Sequence, residues 1–293
     1  MPEATVVIAT RDRADLLRGC LARLAAQTAH GRFDVVVADN GSSDDTGRVI
    51  EQAAPLARRV FVARPNRGSA RNAGIAAASA RIVIFCDDDT LPPPGFVDAH
   101  LAAHGAATDR VVTGPIVNVP DADHLPAPTA AHYSRAFFCT CNASAPKAAL
   151  DAAGDFDEAF ELYGWEDTDL GVRLKAAGLK RVFAWDAYIY HVKPPSVMTL
   201  ERRLELAREK GAMAARFVRK SPTWPVRLAT GAYAANFARA SIAGVAPLRR
   251  LYERLAQPRE SGELSGVRAL AADALADATY VDALRAGLRR ADG

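Results

Sequence analysis

The 293-residue chain has little net charge, only four cysteines, no unbroken hydrophobic run and no excess of glycine or proline. Each shortage excludes a class of protein. Gly 20 and Pro 17 are ordinary counts, so collagenous and low-complexity readings fail. A net charge of +3, from 37 basic and 34 acidic residues, offers no overall field for nucleic acid, and no such partner is expected. The longest apolar stretch, residues 228–248, is interrupted by Gly231, Arg239, Gly244 and Pro247 and makes a poor membrane span. Cys139 and Cys141 stand too close for a structural disulfide, and no second pair completes a zinc site. With Cys20 and Cys86 they read as free thiols in a reducing compartment. Met1-Pro2-Glu3 runs directly into β-branched residues with no export signal between, so a cytoplasmic location is expected.

What is present is the composition of a globular protein, 49% hydrophobic and 24% charged. The charge is unevenly placed. Residues 201–250 hold eleven Lys and Arg against three Glu, a net +8, whereas the first 200 residues carry a net −4. The first half alternates strand and helix signals. Short apolar runs at residues 5–9, 33–38, 59–63 and 81–86 predict strands, with helices after the first and over 69–80. The strands are apolar throughout rather than alternating, which predicts a parallel sheet covered on both faces and an open α/β architecture. In such sheets ligands sit beyond the carboxyl ends of the strands. Residues 10–13, 39–43 and 87–89 should therefore share one crevice. Further on, residues 110–117, 137–142, 181–185 and 188–192 read as extended, 146–153 and 166–177 as helices, and 121–131 as a loop. From residue 200 the pattern is helical, with breaks near 221–225 and 257–266.

The strongest local feature is Asp87-Asp88-Asp89-Thr90, three adjacent carboxylates after a buried strand. Their mutual repulsion is relieved by a cation or by solvent. Oxygen ligands suit Mn2+ or Mg2+, and a loop supplying one or two carboxylates usually shares a phosphate. A solvated turn or helix cap is the competing reading. A second acidic group, Trp165-Glu166-Asp167, opens a helix, where the dipole favours acids for purely structural reasons.

Together these segments resemble the family 2 glycosyltransferases of the GT-A fold. The matching stretches are Val6-Val-Ile-Ala-Thr-Arg-Asp-Arg13, Val36-Val-Ala-Asp-Asn-Gly-Ser-Ser-Asp-Asp-Thr46, Asn66-Arg-Gly-Ser-Ala-Arg-Asn-Ala-Gly74, Ile84-Phe-Cys-Asp-Asp-Asp-Thr-Leu-Pro92 and Gly164-Trp-Glu-Asp-Thr-Asp-Leu170. They follow the family's order across about residues 4–195. The resemblance implies a Rossmann-like, mostly parallel α/β sheet flanked by helices. A catalytic domain over 1–196 would have a nucleotide-binding part to about 117 and an acceptor part beyond it, followed by a helical region over 197–293.

It also implies a nucleotide-sugar donor, UDP in the first instance. Thr10, Asp12 and Arg13 would line the nucleotide pocket. Asp39 would accept the base N3–H beside Asn40. Arg71 would approach the diphosphate, and Asp87 the ribose or metal with Asp88 beside it. Asp89 would ligate the metal, with His191 as a second ligand and Lys193 near a phosphate. Asn142 and Trp165 would face the donor sugar or the acceptor. Glu166 would hold an acceptor hydroxyl and Asp167 would be the catalytic base, since a sugar hydroxyl is a poor nucleophile at neutral pH. Asn72 and Gly74 read as turn and packing residues, and Asp169 as structural.

The implied reaction is metal-assisted transfer with inversion to a glycan, natural-product or lipid-linked hydroxyl. Two other functions compete. A polyprenyl-phosphate sugar transferase would not need Asp167, and a non-catalytic nucleotide-sugar scaffold would be expected to lose one acidic group. The basic helices of 201–250 read as solvated faces, with peripheral contact at the inner membrane face or a homodimer surface as alternatives.

Overall fold

The computed structural model describes residues 1–63, 66–193, 198–243, 245–256 and 266–290. It falls into two compact units, Met1–Glu161 with Glu166–Pro195, and Leu162–Trp165 with Ser196–Gly293.

The first unit is a layered α/β structure. Its strands are β1 (Ala4–Thr10), β2 (Phe33–Asp39), β3 (Ala57–Phe61), β4 (Ile82–Cys86), β5 (Thr90–Leu91), β6 (Arg110–Thr113), β7 (Ile116–Val119), β8 (Asn142–Pro146), β9 (Lys180–Phe183) and β10 (Ile189–Val192). Its helices are α1 (Ala14–Ala25), α2 (Thr46–Gln52), α3 (Arg67–Ala77), α4 (Phe96–His104), α5 (Lys147–Ala153) and α6 (Glu166–Ala176). The main sheet runs β3-β2-β1-β4-β8-β6-β9. Only β8 is reversed, pairing antiparallel with both β4 and β6.

Burial explains the all-apolar strands. Val6 and Ile8 of β1 pack on one face with Leu17, Ile84 and Phe96. Val7 between them packs on the other face with Ile75, Phe85 and Leu174. Successive side chains thus enter two different cores, as a doubly covered sheet requires.

Residues 110–117, expected as one strand, form two. Gly114 and Pro115 break the run, and β6 stays in the main sheet while β7 joins β10 and β5 in a small one. At Gly114 the backbone of residue 187 approaches so closely that a Cβ would lie 1.9 Å from Ala187 O. Proline adds the loss of an N–H for the ladder. The extended segment expected at 137–142 begins instead at Asn142, and α4 and β5 carried no clear sequence signal. The expected loop over 121–131 contains only a short 3-10 turn at Ala130–His132.

The second unit is helical: α7 (Leu200–Lys220), α8 (Trp224–Thr230), α9 (Ala234–Ala243), α10 (Ala246–Leu255) and α11 (Val267–Arg289). Helices α7 and α11 meet through small residues. A Cβ at Gly211 would lie 2.3 Å from Tyr280 O, and one at Gly287 2.5 Å from the Ala215 Cβ. The break expected at 221–225 falls between α7 and α8. The break expected at 257–266 lies outside the described residues except at its last position, Gly266. Among the described residues no helix is long and apolar enough to cross a membrane.

Candidate active site

Parallel strands bring the acidic loops together. The register pairs Thr10 with Asp39 at the ends of β1 and β2, and β4 ends one residue before Asp87. The Asp87–Asp89 turn is tied to its neighbours residue by residue. Thr10 Oγ1 donates to Asp88 Oδ2 at 2.7 Å. Arg13 Nη1 bridges Asp88 Oδ1 at 3.0 Å and Asp89 Oδ2 at 3.1 Å. Asp88 is buried by these contacts, and burial pushes its carboxyl above the ordinary range although Thr10 and Arg13 oppose that.

His191 reaches the same place by strand pairing. In the β10–β5 ladder it lies opposite Thr90, and its Nε2 stands 3.2 Å from Asp89 Oδ1. Burial alone would raise the Asp89 carboxyl, but contact with His191 and the charge of Arg13 outweigh it and hold the group below its usual value. Asp89 Oδ1 is buried and without a hydrogen-bond partner. An orphaned carboxylate oxygen beside an imidazole nitrogen suits a divalent ion with mixed O/N ligands. Among the described residues no group of three such side chains forms a ready cage, so remaining ligands would have to be phosphate oxygens or water.

The second acidic group opens α6 and is joined to the first by Arg71. Asn66 caps α3 by accepting from Gly68 and Ser69 N–H, which sets the helix that carries Arg71. Its Nη1 lies 3.2 Å from Glu166 Oε1 and 3.7 Å from Asp167 Oδ1, and Nη2 lies 3.7 Å from Asp87 Oδ1. Burial works against the Arg71 charge, but Asp167, Asp87 and Glu166 together hold it firmly protonated. Burial, reinforced by Asp167, raises the Glu166 carboxyl. Asp167 Oδ2 accepts from Thr140 N at 2.8 Å and Thr140 Oγ1 at 2.9 Å.

Other expected site residues have more structural surroundings. Asp39 is fully buried. Its Oδ1 accepts from Ser42 N at 2.8 Å, and its Oδ2 from Arg59 Nε at 2.8 Å. Arg59 was not anticipated, because it reaches Asp39 only through the pairing of β2 with β3. Asp12 is exposed and holds the β1 and β2 loops together by accepting from Ser43 N and Oγ. Asn40 accepts from Asn66 N. Asn142, expected near the donor sugar, is 1% exposed. Its amide donates to Pro115 O and Ala187 O and its oxygen meets His100 Nε2 at 3.0 Å, so the structure gives it an interior bridging place.

Trp165 belongs to the helical unit, where its indole N–H donates to Lys210 O at 3.0 Å. It is a bulky residue at φ 78, in the left-handed region. Lys193 is exposed, and its backbone N–H donates to Val119 O. Asn72 spans the turn at Phe156 with one bond to its O and one from its N. Asp169 pairs with Arg173 one helical turn on. The four cysteines are free, and Cys20 and Thr90 both reach Asp87 O from behind the acidic turn.

Comparison with known proteins decides what this arrangement belongs to. Residues 5–155 match the sequence profile of glycosyl transferase family 2. The chain belongs to that family. It is 33% identical over 266 residues to the validoxylamine A glucosyltransferase of Streptomyces hygroscopicus subsp. jinggangensis, covering 76% of this chain and 62% of that protein. The corresponding enzyme of subsp. limoneus is 32% identical, with 58% of its length covered. The chain thus spans about three-fifths of these relatives. Two solved structures share the fold. The mannosyltransferase PcManGT from Pyrobaculum calidifontis, in complex with GDP-Man and Mn2+, aligns with a TM-score of 0.64 at 19% identity over 98% of this chain and 87% of its own. Staphylococcus aureus TarS residues 1–349 in complex with UDP-GlcNAc aligns at 0.59 and 17%, over 98% and 91%. The chain therefore shares the GT-A architecture of these structures.

Proposed function

We propose that this glycosyltransferase moves a sugar, with inversion, from a nucleoside diphosphate donor to a hydroxyl group, with Asp167 as base. One observation carries the reading: Arg71 joins the acids at the end of β4 to the acids at the start of α6. On this reading a donor-binding group and a proton acceptor lie within one guanidinium's reach. The acceptor O–H gives its proton to Asp167 as its oxygen attacks the anomeric carbon. The bond to the donor phosphate breaks, and its electron pair leaves with the nucleoside diphosphate. A positioned base of this kind contributes about 10² to 10⁴ in rate. Asp89 and His191 would hold Mn2+ or Mg2+, which when bound neutralises negative charge on the diphosphate. Arg13 fixes the turn that presents Asp89.

UDP is the first donor to test. UDP complexes of TarS and the two glucosyltransferase relatives support placing UDP-glucose at the head of a panel that includes GDP-mannose. The acidic pair at α6 favours a hydroxyl acceptor over a polyprenyl phosphate, which is already anionic. Presence of both acidic groups favours catalysis over a scaffold role.

Thermal unfolding of the full chain with each donor, with and without Mn2+, is the test. The true donor at 100 times its dissociation constant should add about 2.7 kcal/mol, and Mn2+ should enlarge the effect. No stabilisation by any nucleotide sugar would overturn the reading.

A further inference from the structure

We infer that Thr140 is a positioning residue for Asp167, holding the base away from Arg71; this rests on the assignment of Asp167 as base. Thr140 lies in the turn that leads into β8, and its side chain is buried. Both of its donors go to the same oxygen: N–H at 2.8 Å and Oγ1 at 2.9 Å from Asp167 Oδ2. The other oxygen, Oδ1, is buried and accepts no hydrogen bond. It lies 3.7 Å from Arg71 Nη1, a guanidinium that also faces Glu166 and Asp87.

These contacts set up a competition. A carboxylate beside a buried arginine is drawn toward a close, charge-assisted pair, and that pairing stabilises its anion and weakens it as a base. The two Thr140 bonds fix the carboxylate plane from the opposite side. Oδ1 is thereby kept in coulombic range of Arg71 but short of a hydrogen bond with it. Without the hydroxyl, the backbone N–H alone holds Oδ2, and the carboxylate is free to rotate onto Arg71. Thr140 does not touch the reacting atoms; it acts through the residue that does.

The test compares Thr140→Val, Thr140→Ser and Asp167→Asn in the full chain. UDP-glucose with Mn2+ is the probe and its hydrolysis the readout, water taking the place of the acceptor. Thr140→Val should lower kcat by about tenfold or more, with the KM for UDP-glucose unchanged. Thr140→Ser, which keeps both donors, should restore the wild-type rate. A purely structural role would reduce the fraction of folded protein without changing kcat per donor-binding site, counted by titration. Thr140→Ala repeats the comparison if the valine variant does not fold.

A Thr140→Val protein with wild-type kcat, beside an inactive Asp167→Asn, would overturn the positioning role alone. An Asp167→Asn protein with wild-type kcat would overturn the base assignment and this inference with it.

Discussion

At the scale of single residues, the site is built from side chains that hold one another. Thr10, Arg13 and His191 surround the Asp88–Asp89 pair, while Arg71 and Thr140 grip Asp167 from two sides. His191 is the sharpest point to test, because strand pairing alone brings it to Asp89 Oδ1. Replacing it with alanine should weaken Mn2+ binding in the presence of donor by about 10- to 100-fold, while leaving metal-free nucleotide binding near its starting value. Calorimetry with Mn2+ and UDP checks this; equal Mn2+ affinity in the variant would remove His191 from the metal site. Much of this constellation was legible in the sequence, since the acidic motifs and Arg71 announce themselves by residue type and order. Thr140 and Arg59 were not legible. Each acts by contact across the fold, 27 and 20 residues from its partner, and threonine or arginine in a strand-like run carries no local signal.

At the scale of elements, the parallel strands were readable because all-apolar runs have one physical use in a chain of this composition. The antiparallel β8 and the small β5-β10-β7 sheet were not, because their burial is decided by tertiary neighbours and a two-residue strand has no periodicity. Close approach of backbones matters as much as apolar pattern. Gly74 brings α3 onto β1, where an added Cβ would lie 2.4 Å from Val7 Cγ1. The helical unit depends on Gly211 in the same way, except that the obstructing atom there is backbone. Gly211→Ala should therefore cost about 1–3 kcal/mol as the helices part. Gly95→Ala, where a Cβ meets nothing within 4 Å, should change stability by less than about 0.5 kcal/mol. Denaturant unfolding of the two variants decides the matter, and equal stability would contradict the close packing of α7 on α11.

At the scale of the whole molecule, charge and titration become the relevant quantities. The net +8 of residues 201–250 is answered in part from within the helical unit, where Arg203, Arg239 and Arg249 pair with Asp273, Asp277 and Asp282 of α11. The uneven charge along the sequence is thus partly an internal complementarity between helices.

In the first unit, His100 and His104 share Ser144 Oγ at 2.8 Å each. Burial, with the neighbouring His104, lowers His100 from 6.5 to about 3. Burial, with Arg81 and Arg110, lowers His104 to about 4. Both histidines are neutral in the fold but take up protons once unfolded below about pH 6.5. Their contribution to stability is present above that pH and is lost as the pH falls toward 4 and then 3. Unfolding free energy should accordingly drop by the order of a few kcal/mol between pH 7 and pH 4, and His104→Asn should flatten that slope. A wild-type stability that stays level across this range would contradict the buried neutral pair.

The central claim is that Asp167 takes the acceptor's proton while the donor is held elsewhere. Its most direct measurement is donor binding and transfer to water in the Asp167→Asn protein, with UDP-glucose as the first donor and Mn2+ present. Calorimetric affinity for the donor should match the wild type, and transfer, followed by mass of the product, should fall by about 10² to 10⁴. Wild-type transfer by the asparagine variant would contradict the claim.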